Sequence, residues 1–269
     1  MMAKLTEPLP SIHRQNLSYA WGDLLCAMYA ASGGERGPVT VCIDGFDDNN
    51  CVEEDPEIRS AIDALLEAKE QTSIGIVAFT IFPQRIWKIA QGDRQLFYDL
   101  YKYSFVSFRK NRLNRKGLYF QRLVMFDADD KNSPNQLEYI INRYNDKKAN
   151  GGKAGPPRIH LMASIHNPRI DHTHDQVPSF PCMQQISFCP TDKGLVVNAN
   201  YATQQVVRKA YGNFLGLAHL AKFMADEMGL QLAQLNIMVG VEKIGDSRFP
   251  KSSLRDIVNL IKSKVPNGT

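Results

Sequence analysis

Three stretches of the chain combine residue types that can do chemistry. In Ser179-Phe180-Pro181-Cys182-Met183-Gln184, a cysteine directly follows a proline at the head of an apolar run. A side chain at such an edge can face a cleft, and a thiolate is a strong nucleophile where nearby cations lower its pKa. The plain alternative is a small buried apolar residue. In Asp171-His172-Thr173-His174-Asp175, two histidines stand two residues apart between carboxylates. On an extended segment they would point the same way, towards a shared metal ion. No third ligand has diagnostic spacing, so the pattern reads better as a solvated polar loop. The run Arg109-Lys110-Asn111-Arg112-Leu113-Asn114-Arg115-Lys116 carries five cations and no acid. It can neutralise phosphates, or simply form a solvated face or turn.

The surrounding pattern predicts the elements that position these groups. Val39-Thr40-Val41-Cys42-Ile43 reads as a short buried strand. Asp55-Pro56-Glu57 supplies an N-cap and an N1 proline, and Ile58, Ile62, Leu65 and Leu66 continue as one helical stripe. Residues 73–80 read as a strand, and the aromatic-rich stretch 96–108 as a helix. Ser133-Pro134-Asn135-Gln136 is a capping-box pattern ahead of Leu137, Ile140, Ile141 and Tyr144 at helical spacing. Three glycines, two prolines and three lysines in 147–157 mark an exposed loop. Further on, 158–165 reads as a strand. Residues 183–189 and 195–201 form a hairpin around Pro190-Thr191-Asp192-Lys193-Gly194. Asn213 opens a long helix with Leu217, Ala221, Met224 and Met228 on one face and Gly229 past its end. Residues 235–241 form a further strand, and Ser253-Leu254-Arg255-Asp256 caps a final helix. Mixed strands and helices with hairpins predict an α+β fold, a sheet covered by helices on one side.

Length and composition bound the possibilities. A chain of 269 residues, 43% hydrophobic and 22% charged, has ample surface to bury a core, and we expect one large domain over 1–269. No apolar run approaches the ~18–20 residues of a membrane span. The N-terminus has no apolar stretch behind its lysine, as a secretory signal would. The cysteines at 26, 42, 51, 182 and 189 are odd in number and irregularly spaced, which fits reduced thiols in a cytoplasm. A net charge of +4 permits an anionic substrate without demanding nucleic acid.

Across residues 80–245 the chain resembles the thymidylate synthase and pyrimidine nucleotide hydroxymethylase family. The pieces are Pro181-Cys182, Tyr201, Asn213-Phe214-Leu215-Gly216, and Met224-Ala225 before Gly229-Leu230. Upstream come Tyr119-Phe120-Gln121-Arg122-Leu123, Asn135-Gln136-Leu137 and Pro157-Arg158-Ile159, in the family order. Thr80-Ile81-Phe82-Pro83 resembles an earlier Phe-Pro segment. Several motifs in one order are more specific than any single one. Residues 1–75 have no counterpart in the resemblance.

The resemblance implies a thymidylate synthase-like mixed sheet, a homodimer, and a pyrimidine nucleotide as substrate. It implies 5,10-methylenetetrahydrofolate as co-substrate. Cys182 takes the position of the nucleophile that adds to C6 of the ring, making C5 reactive towards the folate's one-carbon unit. Asn213 takes the place of the residue whose amide reads the base. An amide both donates and accepts, which suits uracil better than cytosine. Tyr201 is implied in a sugar or loop contact, and Arg158 and Arg122 as cationic supports, Arg158 reaching in from the dimer partner.

The departures are as informative. Where the family follows its tyrosine with Gln-Arg-Ser, this chain has Ala202-Thr203-Gln204, so the phosphate-clamping arginine is gone. Losing one bidentate arginine from a phosphate weakens binding by on the order of 10²-fold or more. Arg158, Lys243 and Arg208 are candidate replacements. The family's aspartate, histidine and glutamine become Gln205, Met183 and Ser187, and its Asp-x-His-x-Tyr becomes Val241-Glu242-Lys243-Ile244-Gly245. The only tryptophans are Trp21 and Trp87, and 112–117 fills the stretch where methylating members keep theirs. Water would then capture the C5 methylene, which favours a hydroxymethyl over a methyl product. Asp99 stands at about the distance expected of the family's catalytic glutamate. The alternatives are a homologue that lost folate chemistry and acts as a nucleotide- or protein-binding partner, and an enzyme gripping a larger, nucleic-acid substrate through 109–116.

Overall fold

In a computed structural model, which describes residues 9, 11–31, 33–111, 114, 117–130, 132–149, 156–172 and 181–265, the chain forms strands near both ends with a run of helices between them. The first part runs β1 (Ile12–Arg14), α1 (Leu17–Ala30), β2 (Glu35–Arg36), β3 (Val39–Ile43), α2 (Pro56–Ala68), α3 (Ile74–Ile81), α4 (Gln84–Ala90) and α5 (Arg94–Phe108). Then come α6 (Tyr119–Val124), α7 (Gln136–Ala149), a 3-10 turn (Arg158–His160), β4 (Met162–Ser164) and α8 (Pro168–Asp171). The last part is β5 (Met183–Thr191), β6 (Gly194–Gln205), a π-helical segment (Val206–Ala210), α9 (Tyr211–Met228), β7 (Leu232–Lys243) and α10 (Lys251–Lys264).

The strands form one open mixed sheet in the order β1-β3-β7-β6-β5-β4, with β2 also paired to β7. β1/β3 and β6/β7 are parallel; the other neighbours are antiparallel. This is the coarse form of the expected α+β class. Alternation explains its two faces. Leu195, Val197, Ala199 and Tyr201 of β6 and Leu235, Ile237 and Val239 of β7 are buried among the helices. The intervening residues Asn198, Asn200, Gln234, Asn236 and Met238 are partly or well exposed. On that open face a row of amides crosses the strands: Gln234 Nε2 donates to Asn236 Oδ1 at 2.7 Å, and Asn236 Nδ2 to Asn198 Oδ1 at 2.9 Å.

The described residues up to 75 contribute to the same core. β1 and β3 extend the sheet, and Trp21 of α1, fully buried, donates from Nε1 to the Val206 carbonyl at 3.0 Å and meets the Tyr211 ring edge-on. Ser18 Oγ bonds Tyr211 Oη at 2.6 Å and accepts from the Asp55 amide at 2.8 Å, tying α1, α2 and α9 together. Asp55 and Pro56 open α2 as expected, the carboxylate accepting from the Glu57 and Ile58 amides. Trp87 lies in an aromatic cluster with Phe97 and Phe223, which also takes in Phe82 and Phe120.

Several expected elements change. Residues 73–80 do not extend as a strand; they form α3, whose start Ser73 caps by accepting from the Ile76 amide. A short apolar run has no readable period, and here α9 decides the outcome by packing on α3 at two glycines. A Cβ at Gly216 would stand 2.7 Å from the Ala78 carbonyl oxygen and 2.9 Å from Ile81 Cβ, and one at Gly212 would stand 2.6 Å from Val77 Cβ. Gly216→Ala is therefore expected to wedge the two helices apart and cost ~1–3 kcal/mol, read as a lower urea midpoint; an unchanged midpoint would mean that the crossing yields freely.

Residues 158–165 split into the 3-10 turn and a three-residue β4. Asn213 does not open its helix: α9 begins two residues earlier, out of the π-helical segment. Asn135, not Ser133, caps α7, its Oδ1 accepting from the Glu138 amide at 3.0 Å, while Ser133 Oγ accepts from the Asp127 amide. Pro250, not Ser253, precedes α10. Gly229 does end α9, at φ 62°.

Candidate active site

Cys182 sits half-buried immediately before β5. Its carbonyl accepts from the Ala202 amide at 2.9 Å, which holds it against β6. Its sulfur accepts from Thr203 Oγ1 at 3.6 Å, a contact available because strand pairing sets residues 201–203 alongside Pro181–Met183. Tyr119, at the first position of α6, accepts a long hydrogen bond from the Met183 amide at 3.5 Å. The Tyr119 and Tyr201 rings meet edge to face with centroids 6.4 Å apart. Burial pushes both phenols above their usual range, so each stays neutral.

The end of β6 leads into the π-helical segment that carries Arg208 and Lys209. Extra turns of this kind re-aim side chains and occur often at functional sites. Lys209 is partly buried, and desolvation followed by the Arg208 charge lowers its pKa, while Cys182 within electrostatic reach opposes that shift. Lys209 has no ion-pair or hydrogen-bond partner among the described residues. Asn213 lies four residues further on, buried, with its amide likewise free of side-chain hydrogen bonds among the described residues.

Of the residues singled out in the sequence, Cys182 and Tyr201 lie together, whereas Asn213 sits in the first turn of α9, beyond the π-helical segment. Arg122 has another task. It is 1% exposed, and its guanidinium binds Asp171, with Nη2 to Oδ1 at 2.8 Å, and the Ile165 carbonyl at 2.9 Å. Burial would raise the Asp171 pKa, but the Arg122 guanidinium and the Asn167 amide hold the carboxyl below its usual range. Arg158 is exposed on the 3-10 turn. Of the replacement cations, Lys243 pairs with Glu35 at 2.6 Å and Arg208 with Asp246 at 3.2 Å. Asp99 is exposed on α5 and accepts from Gln95 at 2.9 Å.

Asp171 and His172 belong to the His/Asp cluster, whose Thr173, His174 and Asp175 lie outside the described residues. Among the described residues no group of three such side chains can hold a metal. Arg112, Leu113, Arg115 and Lys116 of the basic run also lie outside, and Arg109 pairs with Asp129 at 2.6 Å. A cleft of about 670 Å³ lies elsewhere, lined by His13, Arg14, Asn16, Tyr19, Asp44 and Glu53 among others. It shares no lining residue with the Cys182 cluster. In it His13 contacts Asp44 at 2.7 Å and Arg14 pairs with Asp23 at 2.6 Å.

Glu242 was visible in the sequence only as a departure from a motif. It is fully buried on β7, beside Gln204 in the β6/β7 register. Burial pushes its carboxyl up from 4.5 to about 8. Between those values the folded chain keeps a proton that the unfolded chain releases, so stability falls as pH rises through that window and levels off above it. Glu242→Gln, which cannot titrate, is expected to flatten this fall, measured as urea midpoints at about pH 5 and about pH 9. An unaltered slope would assign the titration to another group.

No helix among the described residues is long and apolar enough to cross a membrane. Compared with models of protein families and with curated proteins, the chain has no match in either.

Proposed function

We propose that this chain is a pyrimidine nucleotide C5-modifying enzyme, hydroxymethylating in preference to methylating, with Cys182 as the nucleophile. The observation that carries the reading is a half-buried thiol, bonded by Thr203, with Lys209, which has no ion-pair or hydrogen-bond partner among the described residues, within electrostatic reach.

The thiolate of Cys182 adds its electron pair to C6 of the ring, and the C5–C6 double bond becomes an enolate reaching to O4. Lys209 balances charge near the sulfur, and Asn213 offers one donor and one acceptor to the base edge. Methylenetetrahydrofolate, when bound, supplies the one-carbon unit that C5 takes up. Loss of the C5 proton would release tetrahydrofolate by breaking the bond between its nitrogen and the transferred carbon, and addition of water to the resulting exocyclic methylene, with expulsion of the thiolate from C6, would restore the ring. Tyr119 and Tyr201, neutral phenols beside the sulfur, are positioned to relay protons. Lys209 also stands in for the missing phosphate-clamping arginine better than Lys243, which Glu35 engages. The enzyme works in the cytoplasm, its cysteines as thiols. It acts as a homodimer through the open amide-rich sheet face, with Arg158 of each chain free to reach across.

The test is incubation with methylenetetrahydrofolate and each of UMP, dUMP, CMP and dCMP, reading product mass and tritium release from C5. A product heavier by one CH2O unit, and a native mass of two chains, are expected. Silence on all four beside measurable binding would favour the alternative of a nucleotide- or protein-binding partner.

A further inference from the structure

The cleft of about 670 Å³ has no share in the proposed reaction, yet it has the size and the place of a ligand site. β1, α1 and β3 make a crossover between parallel strands, and in open sheets ligands bind outside the carboxyl ends of such strands. The cleft lies there: His13 and Arg14 end β1, and Asp44, Phe46 and Asp47 follow β3. Its walls are pinned. The loop after β3 closes on itself through the Phe46–Val52 bridge and the Asp47 amide, which donates to the Cys51 carbonyl at 2.9 Å. Gly45 lets that loop approach the end of β1, since a Cβ there would stand 2.6 Å from Gln15 Cβ.

The chemistry of the lining narrows the ligand. A crossover of this kind commonly offers the free amides of its helix to a phosphate. Here the first amides of α1 are already engaged: Leu17 donates to the Glu53 carbonyl at 3.0 Å, and Ser18 and Tyr19 donate to Asn16 Oδ1 at 2.9 and 3.3 Å. A metal ion is no better served, because among the described residues no three His, Cys, Asp or Glu side chains are placed to hold one. What remains is negative charge within reach of solvent. Asp47 and Glu53 are exposed and have no ion-pair partner among the described residues; the Asp47 carboxylate accepts only from the Asn49 and Cys51 amides. Tyr19 and Phe46, both half-buried, line the same cleft with aromatic rings, which attract organic cations and pack against their hydrocarbon parts.

We infer that this cleft binds an organic polycation, a short chain of protonated amines, with Asp47 and Glu53 as its charge partners and Tyr19 and Phe46 as its apolar walls. Amines spaced along a hydrocarbon chain meet both kinds of lining at once, the ammonium groups the carboxylates and the methylenes the rings. The site is separate from Cys182 and does not depend on the proposed reaction.

Titration calorimetry of the full chain with spermidine, in the absence of nucleotide and folate, tests this. Spermidine is expected to bind, and its triacetylated form, equal in backbone length but uncharged, to bind about fivefold or more weakly. Raising the salt concentration should weaken spermidine binding. The double substitution Asp47→Asn with Glu53→Gln keeps the shape of both side chains and the acceptor for the two loop amides. It should weaken spermidine binding about fivefold or more. The comparison of charged and acetylated forms needs no variant and stands even if the double substitution fails to fold. Failure of spermidine to bind, equally tight binding of the acetylated form, or an affinity that survives both substitutions overturns the inference. Magnesium binding that the double substitution abolishes, with no binding of spermidine, would overturn it too and give the cleft to a metal. With no nucleotide present, none of these results bears on the reading of Cys182.

Discussion

Cys182→Ala is expected to lower nucleotide turnover roughly 10³-fold or more, since no other group can form the C6 adduct that makes C5 nucleophilic. The variant should still bind nucleotide, because the thiol is half-exposed and the side chain removed is small. The measurement is tritium release from C5, with adduct formation followed by intact mass. Turnover by Cys182→Ala near the wild-type rate would end the covalent mechanism. Lys209→Met separates the sulfur from its surroundings. It should slow iodoacetamide alkylation of Cys182 at neutral pH and reduce turnover about 10–10²-fold, with Lys209→Arg restoring part of both. A lysine present only for packing would leave the alkylation rate unchanged.

The Arg122–Asp171 pair carries the largest stability effect. Both side chains are essentially sealed from solvent, and the arrangement is closed on every side. Asp171 also accepts from the Asn167 amide at 2.8 Å, and Gln136 Nε2 bonds both the Arg122 and the Ser164 carbonyls at 2.9 Å. Removing one partner strands the other charge in a low-dielectric interior. Arg122→Met and Asp171→Leu are each expected to cost about 3–5 kcal/mol, with the double replacement costing much less than their sum. Urea denaturation of the four proteins measures the coupling, and additive losses would show that the charges do not depend on one another. The depressed Asp171 pKa adds a sign. Its contribution is fully present above the unfolded value of 3.8 and is lost as pH falls through the lower folded value.

These results separate what local pattern can reveal from what it cannot. Asp55-Pro56 announced α2 because an N-cap and an N1 proline act within a few residues. The hairpin of β5 and β6 was legible for the same reason, as was the Gly229 stop. Residues 73–80 misled because a short, mostly apolar run suits a strand or a helix equally, and the deciding contact, Gly212 and Gly216 of α9 against α3, lies far away in the chain. Arg122 was marked as a substrate cation on motif resemblance. Its partner Asp171 is 49 residues distant, within a histidine-rich stretch that itself suggested a metal.

By itself the amino-acid order determined a mixed fold of strands and helices, the N-terminal caps of short range, and Cys182 with Asn213 as the side chains worth following. Those follow from near-neighbour stereochemistry and from the residue types chemistry requires. Only the tertiary structure decided which charges are spent within the fold and which are left over. Arg122, Arg208 and Lys243 have carboxylate partners, whereas among the described residues Lys209 has none and the buried Glu242 carboxyl has no hydrogen-bond partner. The reason is physical: burial and pairing depend on groups that approach through space, so the free energy of a charge belongs to its surroundings and not to its place in the sequence.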